Sequence, residues 1–262
     1  MKSRDHVRRV GLARALSKLG YCSRSQASEL IRGGHVHLNG RLARDPELPV
    51  QLGKDRIEVD ARTIAAREHV YLMINKPRGV VTTASDEQGR ETVYDLLADD
   101  LPWVAPVGRL DKASEGLLLL TNDSEWADRV LAPESHIDKT YHVHIDRIAD
   151  QDLLDSMHHG VLASDGEVLR VKLARRLRSG QKNSWLEVVL DEGRNRQIRR
   201  ILNCLGVEVL QLVRVAVGPL QLGTLRKGAT RPLTSTEKGA MDDELRASAR
   251  LPKKSLAKFK HS

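Results

Sequence analysis

In Gly108-Arg109-Leu110-Asp111-Lys112-Ala113-Ser114-Glu115-Gly116 a carboxylate stands between an arginine and a glycine, just ahead of the apolar run Leu117 to Leu120 and then Thr121-Asn122-Asp123. That run is too short to span a membrane and long enough for a buried strand, so a rigid core element delivers Asp111 in a loop. Arg109, two residues away, favours the ionised carboxyl. An anion so placed serves as nucleophile or general base. The competing reading is an Asp in a strand-entry turn without chemical role, since short motifs of this kind recur by chance. Two other segments carry reactive side chains. Lys139 to Ile145 alternates with period two, which puts Tyr141 inward with Val143 and Ile145 and leaves His142 and His144 facing solvent. Arg194-Asn195-Arg196-Gln197-Ile198-Arg199-Arg200 opens an amphipathic helix whose apolar residues are Ile198, Ile201, Leu202 and Leu205. Its four arginines crowd the positive end of the helix dipole, and an anionic partner is the simplest reason for that choice.

Nothing in the chain suggests a metal or a cofactor. The two histidines lack carboxylate or cysteine partners at ligand spacing, and no phosphate-cradling glycine loop, Ser-His-Asp set or Cys-His pair is visible. A basic protein with one well-placed carboxylate points to cofactor-free chemistry at a nucleoside.

The elements around these residues follow from pattern. Val70 to Ile74 reads as a compact strand broken by Asn75-Lys76-Pro77-Arg78-Gly79, and Val80 to Thr83 resumes β-prone composition. Trp126, Val130 and Leu131 mark a helix stopped by Pro133, and Trp185 to Leu190 is a buried strand closed at Asp191-Glu192-Gly193. Toward the N-terminus, Leu12, Leu16 and Leu19 form one short helical stripe ended by Gly20. Ser23-Arg24-Ser25-Gln26 fits a capping box for a second, carrying Ala27, Leu30 and Ile31 and closed by Gly33-Gly34. Asn39-Gly40 then signals a hairpin, and Arg56 to Asp60 is strand-like.

At 262 residues, one large domain plus one small one is the natural division. Lys and Arg outnumber Asp and Glu by 43 to 35, a net charge of +8, which favours a polyanion and ranks nucleic acid above an acidic membrane surface. No apolar run approaches the length a bilayer needs, and Met1 to Arg9 lacks a signal-peptide core, so a soluble cytoplasmic protein is expected. Aromatics make up only 3% of residues, so recognition leans on phosphate contacts and arginine rather than on a sheet of stacking rings. Cys22 and Cys204 read as reduced and structural.

Residues 16 to 27, Leu-Ser-Lys-Leu-Gly-Tyr-Cys-Ser-Arg-Ser-Gln-Ala, and 31 to 40, Ile-Arg-Gly-Gly-His-Val-His-Leu-Asn-Gly, resemble the small RNA-binding module first described in a ribosomal small-subunit protein. The resemblance implies that Arg14, Lys18, Arg24 and Arg32 lie on structured RNA. Further on, Asn75 to Thr83, Gly108 to Asp111 with Gly116 to Asp123, Lys139-Thr140-Tyr141, Glu192 to Arg200 and Gly218-Pro219-Leu220 follow the order of motifs in bacterial ribosomal-RNA pseudouridine synthases that carry such a module. Ser114 stands where the family often has Thr, and keeps the hydroxyl.

That resemblance implies an α+β fold: a small N-terminal RNA-binding module and a catalytic domain with a mixed, mainly antiparallel sheet flanked by helices. Together with the aperiodic linker and the Lys- and Arg-rich C-terminal composition, this gives a basic extension over 1–8, the module over 9–61, a linker over 62–68, the catalytic domain over 69–241 and a basic disordered tail over 242–262. The resemblance further implies conversion of uridine to pseudouridine in ribosomal RNA or a pre-ribosomal particle by a monomer, with no metal or cofactor. Asp111 would detach and re-couple the base, Tyr141 would stack on it and help remove the C5 proton, and Arg199 would pair with Asp111. Arg109 would fill the space left by the extruded nucleotide, with Lys76, Arg194 and Arg196 as further RNA contacts. Extrusion is needed because the reacting atoms are inaccessible within a stack. Two rivals remain at this stage: a noncatalytic RNA-binding assembly factor, and a nucleosidase that uses Asp111 with Glu115 as its acid.

Overall fold

Ser23 and Gln26 start the second helix by exchanging hydrogen bonds: Ser23 Oγ accepts from the Gln26 amide at 3.1 Å and Gln26 Oε1 accepts from the Ser23 amide at 3.0 Å. Two amides orphaned by the helix start are thereby satisfied. The computed structural model in which this is seen describes residues 9–84 and 86–250. Its N-terminal module runs β1 (Val10–Gly11), α1 (Leu12–Lys18), α2 (Arg24–Gly33), β2 (Val36–Leu38), β3 (Arg41–Leu42), β4 (Pro49–Val50), β5 (Ile57–Val59) and β6 (Arg62–Thr63). Asn39 and Gly40, at φ 52° and 77°, turn β2 into β3 in the left-handed geometry that a tight hairpin requires. The antiparallel sheet β3-β2-β5-β6 and the two helices bury Leu12, Leu16, Ala27, Ile31, Val36 and Ile57. The linker expected over 62–68 therefore begins later: Arg62–Thr63 pairs with β5, and Ile64 packs on the module core. Asp60 and Ala61 make this second hairpin at φ 47° and 62° without the glycine that would have announced it.

The chain divides into two compact units, one holding the described residues to Asp128 together with Leu222–Leu233, the other Arg129–Gln221 and residues from Thr234. Beyond the module, the first unit contains β7 (Tyr71–Lys76), β8 (Ala105–Val107), β9 (Glu115–Thr121) and β17 (Thr230–Pro232). β9 pairs antiparallel with both β7 and β8, and β7 with β17. All seven residues of β9 are buried, which is why its centre, Leu117 to Leu120, is continuously apolar rather than alternating. Val80 to Thr83 does not form the expected strand. Only an isolated parallel bridge joins Val81 to Thr92 among the described residues, and the Thr82 hydroxyl donates to the Leu110 carbonyl at 2.8 Å. In α3 (Ser124–Leu131), Asp123 Oδ1 accepts from the Trp126 amide at 2.9 Å, and the Trp126 ring packs edge-on against Tyr71 at 5.1 Å. Leu131, counted in the apolar stripe of this helix, is 47% exposed.

The second unit contains β10 (Lys139–Ile145), α4 (Gln151–His159), β11 (Val161–Leu162), β12 (Val168–Leu169), β13 (Leu173–Ser179), β14 (Ser184–Leu190), α5 (Gln197–Cys204), β15 (Val209–Val217), β16 (Leu220–Gln221) and α6 (Ser235–Arg250). Its strands run antiparallel in the order β13-β14-β10-β15, with β16 on β15. Leu153 and Met157 of α4 and Ile198, Ile201 and Leu202 of α5 close a core over Val143, Ile145, Leu186 and Val188.

α6 corrects the tail expected from 242, since residues 242–250 are helical. Thr234 and Glu237 cap that helix reciprocally, and Met241 and Leu245 bury its apolar side. The remaining tail, 251–262, and the basic extension 1–8 lie outside the described residues. Cys22 is buried, which pushes its thiol up to about 11, whereas Cys204 is exposed and has no structural role in the core. Among the described residues no helix is long and apolar enough to cross a membrane. The architecture is the expected α+β one, a small module followed by a mainly antiparallel sheet with helices.

Trp126 is 1% exposed and bridges α3 to β7. Trp126→Ala is expected to lower unfolding stability by about 3–5 kcal/mol, read as a lower midpoint in chemical denaturation.

Candidate active site

Lys76 ends β7 with its side chain fully buried, a placement that a lysine tolerates only with its charge compensated and its donors used. Its ammonium donates to three backbone carbonyls, those of Pro77 at 3.0 Å, Asp111 at 3.2 Å and Ser114 at 2.9 Å. Burial lowers its pKa to about 8, against the opposing pull of Asp111 and then Glu115. The ammonium thus ties the strand end to both ends of the Asp111 turn. That turn is closed by the Ser114 amide on the Asp111 carbonyl at 2.9 Å, and the Gly79 amide donates to Lys112 O at 2.8 Å. Gly116, the second residue of β9, has φ 102°, a conformation open to glycine and strained for other residues.

Lys76, expected from its place in the motif to contact RNA, is instead the buried post on which the loop hangs. Leu110 is buried while Arg109 is exposed and Asp111 half-buried, so the loop anchors by its leucine and presents the two charged residues. Both line a cavity of about 450 Å³, with Thr82, Thr83 and the ion-paired Asp86 and Arg90 on its wall. A space of that size admits a nucleoside. Arg90 holds the Asp86 carboxyl down at about 2 through its hydrogen bonds.

In the second unit, Tyr141 lies on the core side of β10, half-buried against the cluster that contains Val143 and Val188. The β10·β15 register shifts between Thr140 and Tyr141, where Arg214, 7% exposed, stands opposite. The histidines of the other face are not simply solvated. His144 stacks on Trp185 at 4.7 Å, and His142 lies 3.9 Å from Glu187 with its pKa lowered, chiefly by burial.

The arginines at the start of α5 separate into two kinds. Arg194 donates to Glu192 at 2.9 Å and to Glu167 at 2.6 Å, and Arg200 to Glu167 and Asp165 at 2.8 and 2.7 Å. For these two, the anionic partner inferred from the sequence is the protein's own acidic hairpin between β11 and β12, and Arg194 is corrected from RNA contact to structural ion pair. Arg196 is exposed and left-handed at φ 48° as the N-cap, and Arg199 is half-buried with Nη1 3.4 Å from Val209 O. Sequence reasoning missed Gln197, 2% exposed, whose amide donates to Arg170 O and Glu192 Oε1, each at 2.8 Å, and so sets where α5 begins. A buried glutamine inside an arginine run is its only trace in the sequence.

On the module, Arg14, Arg24 and Arg32 are exposed, as an RNA-facing surface requires. Lys18 is instead paired with Glu125 at 2.8 Å, and the neighbouring Gly20 packs on Asn122, which accepts from the Val70 amide and donates to Glu68 O. Lys18 therefore serves as a strut between the module and the start of α3.

The family model described as RNA pseudouridylate synthase matches residues 70–203, a span that contains Asp111, Tyr141 and Arg199, and the S4 domain model matches 10–57. The chain belongs to the RNA pseudouridine synthase family. This synthase is 37% identical over 228 residues to ribosomal large subunit pseudouridine synthase B of Bacillus subtilis (strain 168), covering 86% of this chain and 93% of that one. It is 36% identical over 229 residues to an uncharacterized RNA pseudouridine synthase of Aquifex aeolicus (strain VF5), covering 87% and 92%. Among solved structures it resembles a crystal structure of pseudouridylate synthase, with a TM-score of 0.62, 28% identity, and coverage of 88% and 99%.

For the synthase, the Lys76 clamp carries a pH signature. Because the folded pKa of about 8 lies below the 10.5 of the free side chain, the unfolded chain holds more protons between these values. Wild-type stability minus that of Lys76→Met is therefore expected to rise as pH climbs from 8 to 10.5, measured by urea denaturation across that range. The variant should also lose about 10²-fold in activity, as misplacement of a reactive loop does. A flat stability difference would remove Lys76 from the argument.

Proposed function

We propose that this synthase isomerises specific uridines in ribosomal RNA, free or in a pre-ribosomal particle, as a cytoplasmic monomer without cofactor. The observation that carries the reading is the Asp111 loop, tied to Lys76 and presenting a carboxylate and an exposed arginine to a cavity of nucleoside size. In support of ribosomal RNA stands the similarity to the Bacillus subtilis protein, whose name assigns it to the large ribosomal subunit. In the proposed division of labour, residues 9–61 dock on structured RNA through Arg14, Arg24 and Arg32, and residues 69–241 carry the chemistry.

The reaction breaks the bond from ribose C1′ to uracil N1 and forms one from C1′ to C5. One proton leaves C5 and one arrives at N1, so atoms and electrons balance without an oxidant or a co-substrate. Asp111 acts as the nucleophile or base that releases and recaptures the uracil. Tyr141 stacks on the extruded base and assists loss of the C5 proton, and Arg199 stabilises negative charge during the reaction. Arg109 fills the gap left in the RNA, as its exposed position beside Asp111 permits. Extrusion costs a few kcal/mol, which phosphate contacts offset.

Chemical tagging and primer extension on ribosomal RNA, from cells with the gene, without it and with Asp111→Asn, tests this reading. Wild type should yield at least one pseudouridine stop that both other strains lack, and purified Asp111→Asn should be slower by at least about 10²–10⁴-fold while binding RNA normally. Identical maps in the three strains would refute ribosomal RNA as the substrate.

A further inference from the structure

β13 is the outermost strand of its sheet, pairing only with β14, and it lies within a segment of unusual composition. From Arg170 to Lys182 the chain carries six cations, Arg170, Lys172, Arg175, Arg176, Arg178 and Lys182, and no Asp or Glu, against a net charge of +8 for the whole protein. All six are exposed. We propose that this basic edge is a second RNA-contacting surface of the enzyme, one that tracks the phosphodiester backbone of the RNA carrying the target uridine. The inference rests on the RNA-modifying function above.

Edge strands commonly bear a lysine or two to block pairing with other chains. Six cations without an acid exceed that need, and the protein leaves most of them uncompensated. Glu187 takes Arg175 at 2.7 Å and Asp138 takes Lys172 at 2.7 Å, whereas Arg170, Arg176, Arg178 and Lys182 have no carboxylate partner among the described residues, Arg176 donating instead to Ala149 O at 2.8 Å. The contrast with α5 is informative, because there the same unit spends three carboxylates on two arginines. Arg178 is also pre-ordered. A register shift between Arg176 and Arg178 places its guanidinium 5.2 Å over the Trp185 ring, which stacks in turn on His144 at 1° interplanar angle. Holding a guanidinium in a stacked plane lowers the entropy lost when it meets a phosphate.

The test titrates binding of in vitro transcribed ribosomal RNA with KCl. Each phosphate contact contributes about 0.7–0.9 to the slope of log affinity against log salt, so R170Q/R178Q/K182Q should flatten the slope by about 2. The charge-retaining R170K/R178K should keep it, and turnover on saturating RNA should stay within about twofold of wild type. In the wild-type chain, RNA should slow amide exchange across β13, a readout that needs no variant. An unchanged slope in the triple variant, or unprotected β13 amides, overturns the proposal. So does a triple variant that only self-associates or loses affinity for ribosomal proteins while keeping the RNA slope. If wild type makes no pseudouridine but the slope still flattens, the catalytic reading fails and the surface stands.

Discussion

The Lys76 ammonium buried beneath the Asp111 turn is the interaction on which the remaining arrangement of the first unit depends. A loop that presents a carboxylate and an arginine has little apolar surface with which to hold itself, and Leu110 is its single buried anchor on that side of the turn. Three carbonyls gathered by one cation close the gap, and they exact a condition in return: the lysine must keep its proton in a place where burial opposes it. Asp111 and Glu115 meet that condition. Glu115, itself 4% exposed, is paired with Lys227, so the segment from 222 to 229 is drawn against the same group of charges. Asn75 reinforces this, donating to Leu225 O at 2.7 Å while its backbone bonds to Ala229 and Gly228. The Asp111 carboxylate and the cation that positions its backbone are thus mutually dependent.

The second unit solves a related problem by the opposite means. Arginines in the first turn of α5 are unfavourable against the helix dipole, and the hairpin joining β11 to β12 answers with Asp165 and Glu167. Gln197 holds the junction by bonding to both Arg170 O and Glu192. Arg196 keeps a left-handed backbone that an arginine rarely adopts, a local cost maintained by the pairs on either side of it. An arginine run can therefore signal internal pairing at some of its residues, here Arg194 and Arg200, and leave others such as Arg196 exposed.

What was legible in the sequence were features governed by local rules. The Ser23 box, the Asn39-Gly40 turn, the alternation of β10 and the periodicity of α5 each depend on residues within a few positions of one another, and the structure realises them all. The misreadings share a different origin. Lys76 was expected to contact RNA by its place in the family motif, whereas the carbonyls of Asp111 and Ser114, 35 and 38 residues away, together with that of Pro77, take its ammonium inside. Lys18 and Arg194 were expected on RNA by the family resemblance, yet Glu125 and Glu167, 107 and 27 residues away, claim them. Residues 242–250 were given to a disordered tail by composition, whereas burial of Met241 and Leu245 and the Thr234 cap make them helical.

The same reasoning explains why the β13 edge escaped notice in the sequence. Its residues alternate weakly and lack any motif, and basic charge alone does not separate a solvated face from a binding one. Pairing separates them. A cation that the fold has neutralised pays its desolvation inside the protein and adds little to the field that RNA meets. One left without a carboxylate keeps its whole counterion atmosphere to release on binding. By that criterion the net charge of +8 is unevenly useful: Arg194, Arg200 and Lys76 are used internally, while Arg14, Arg24 and Arg32 on the module and Arg170, Arg178 and Lys182 on the β13 edge are left outward. Counting unpaired cations on a fold, rather than basic residues in a sequence, locates where a polyanion can be held.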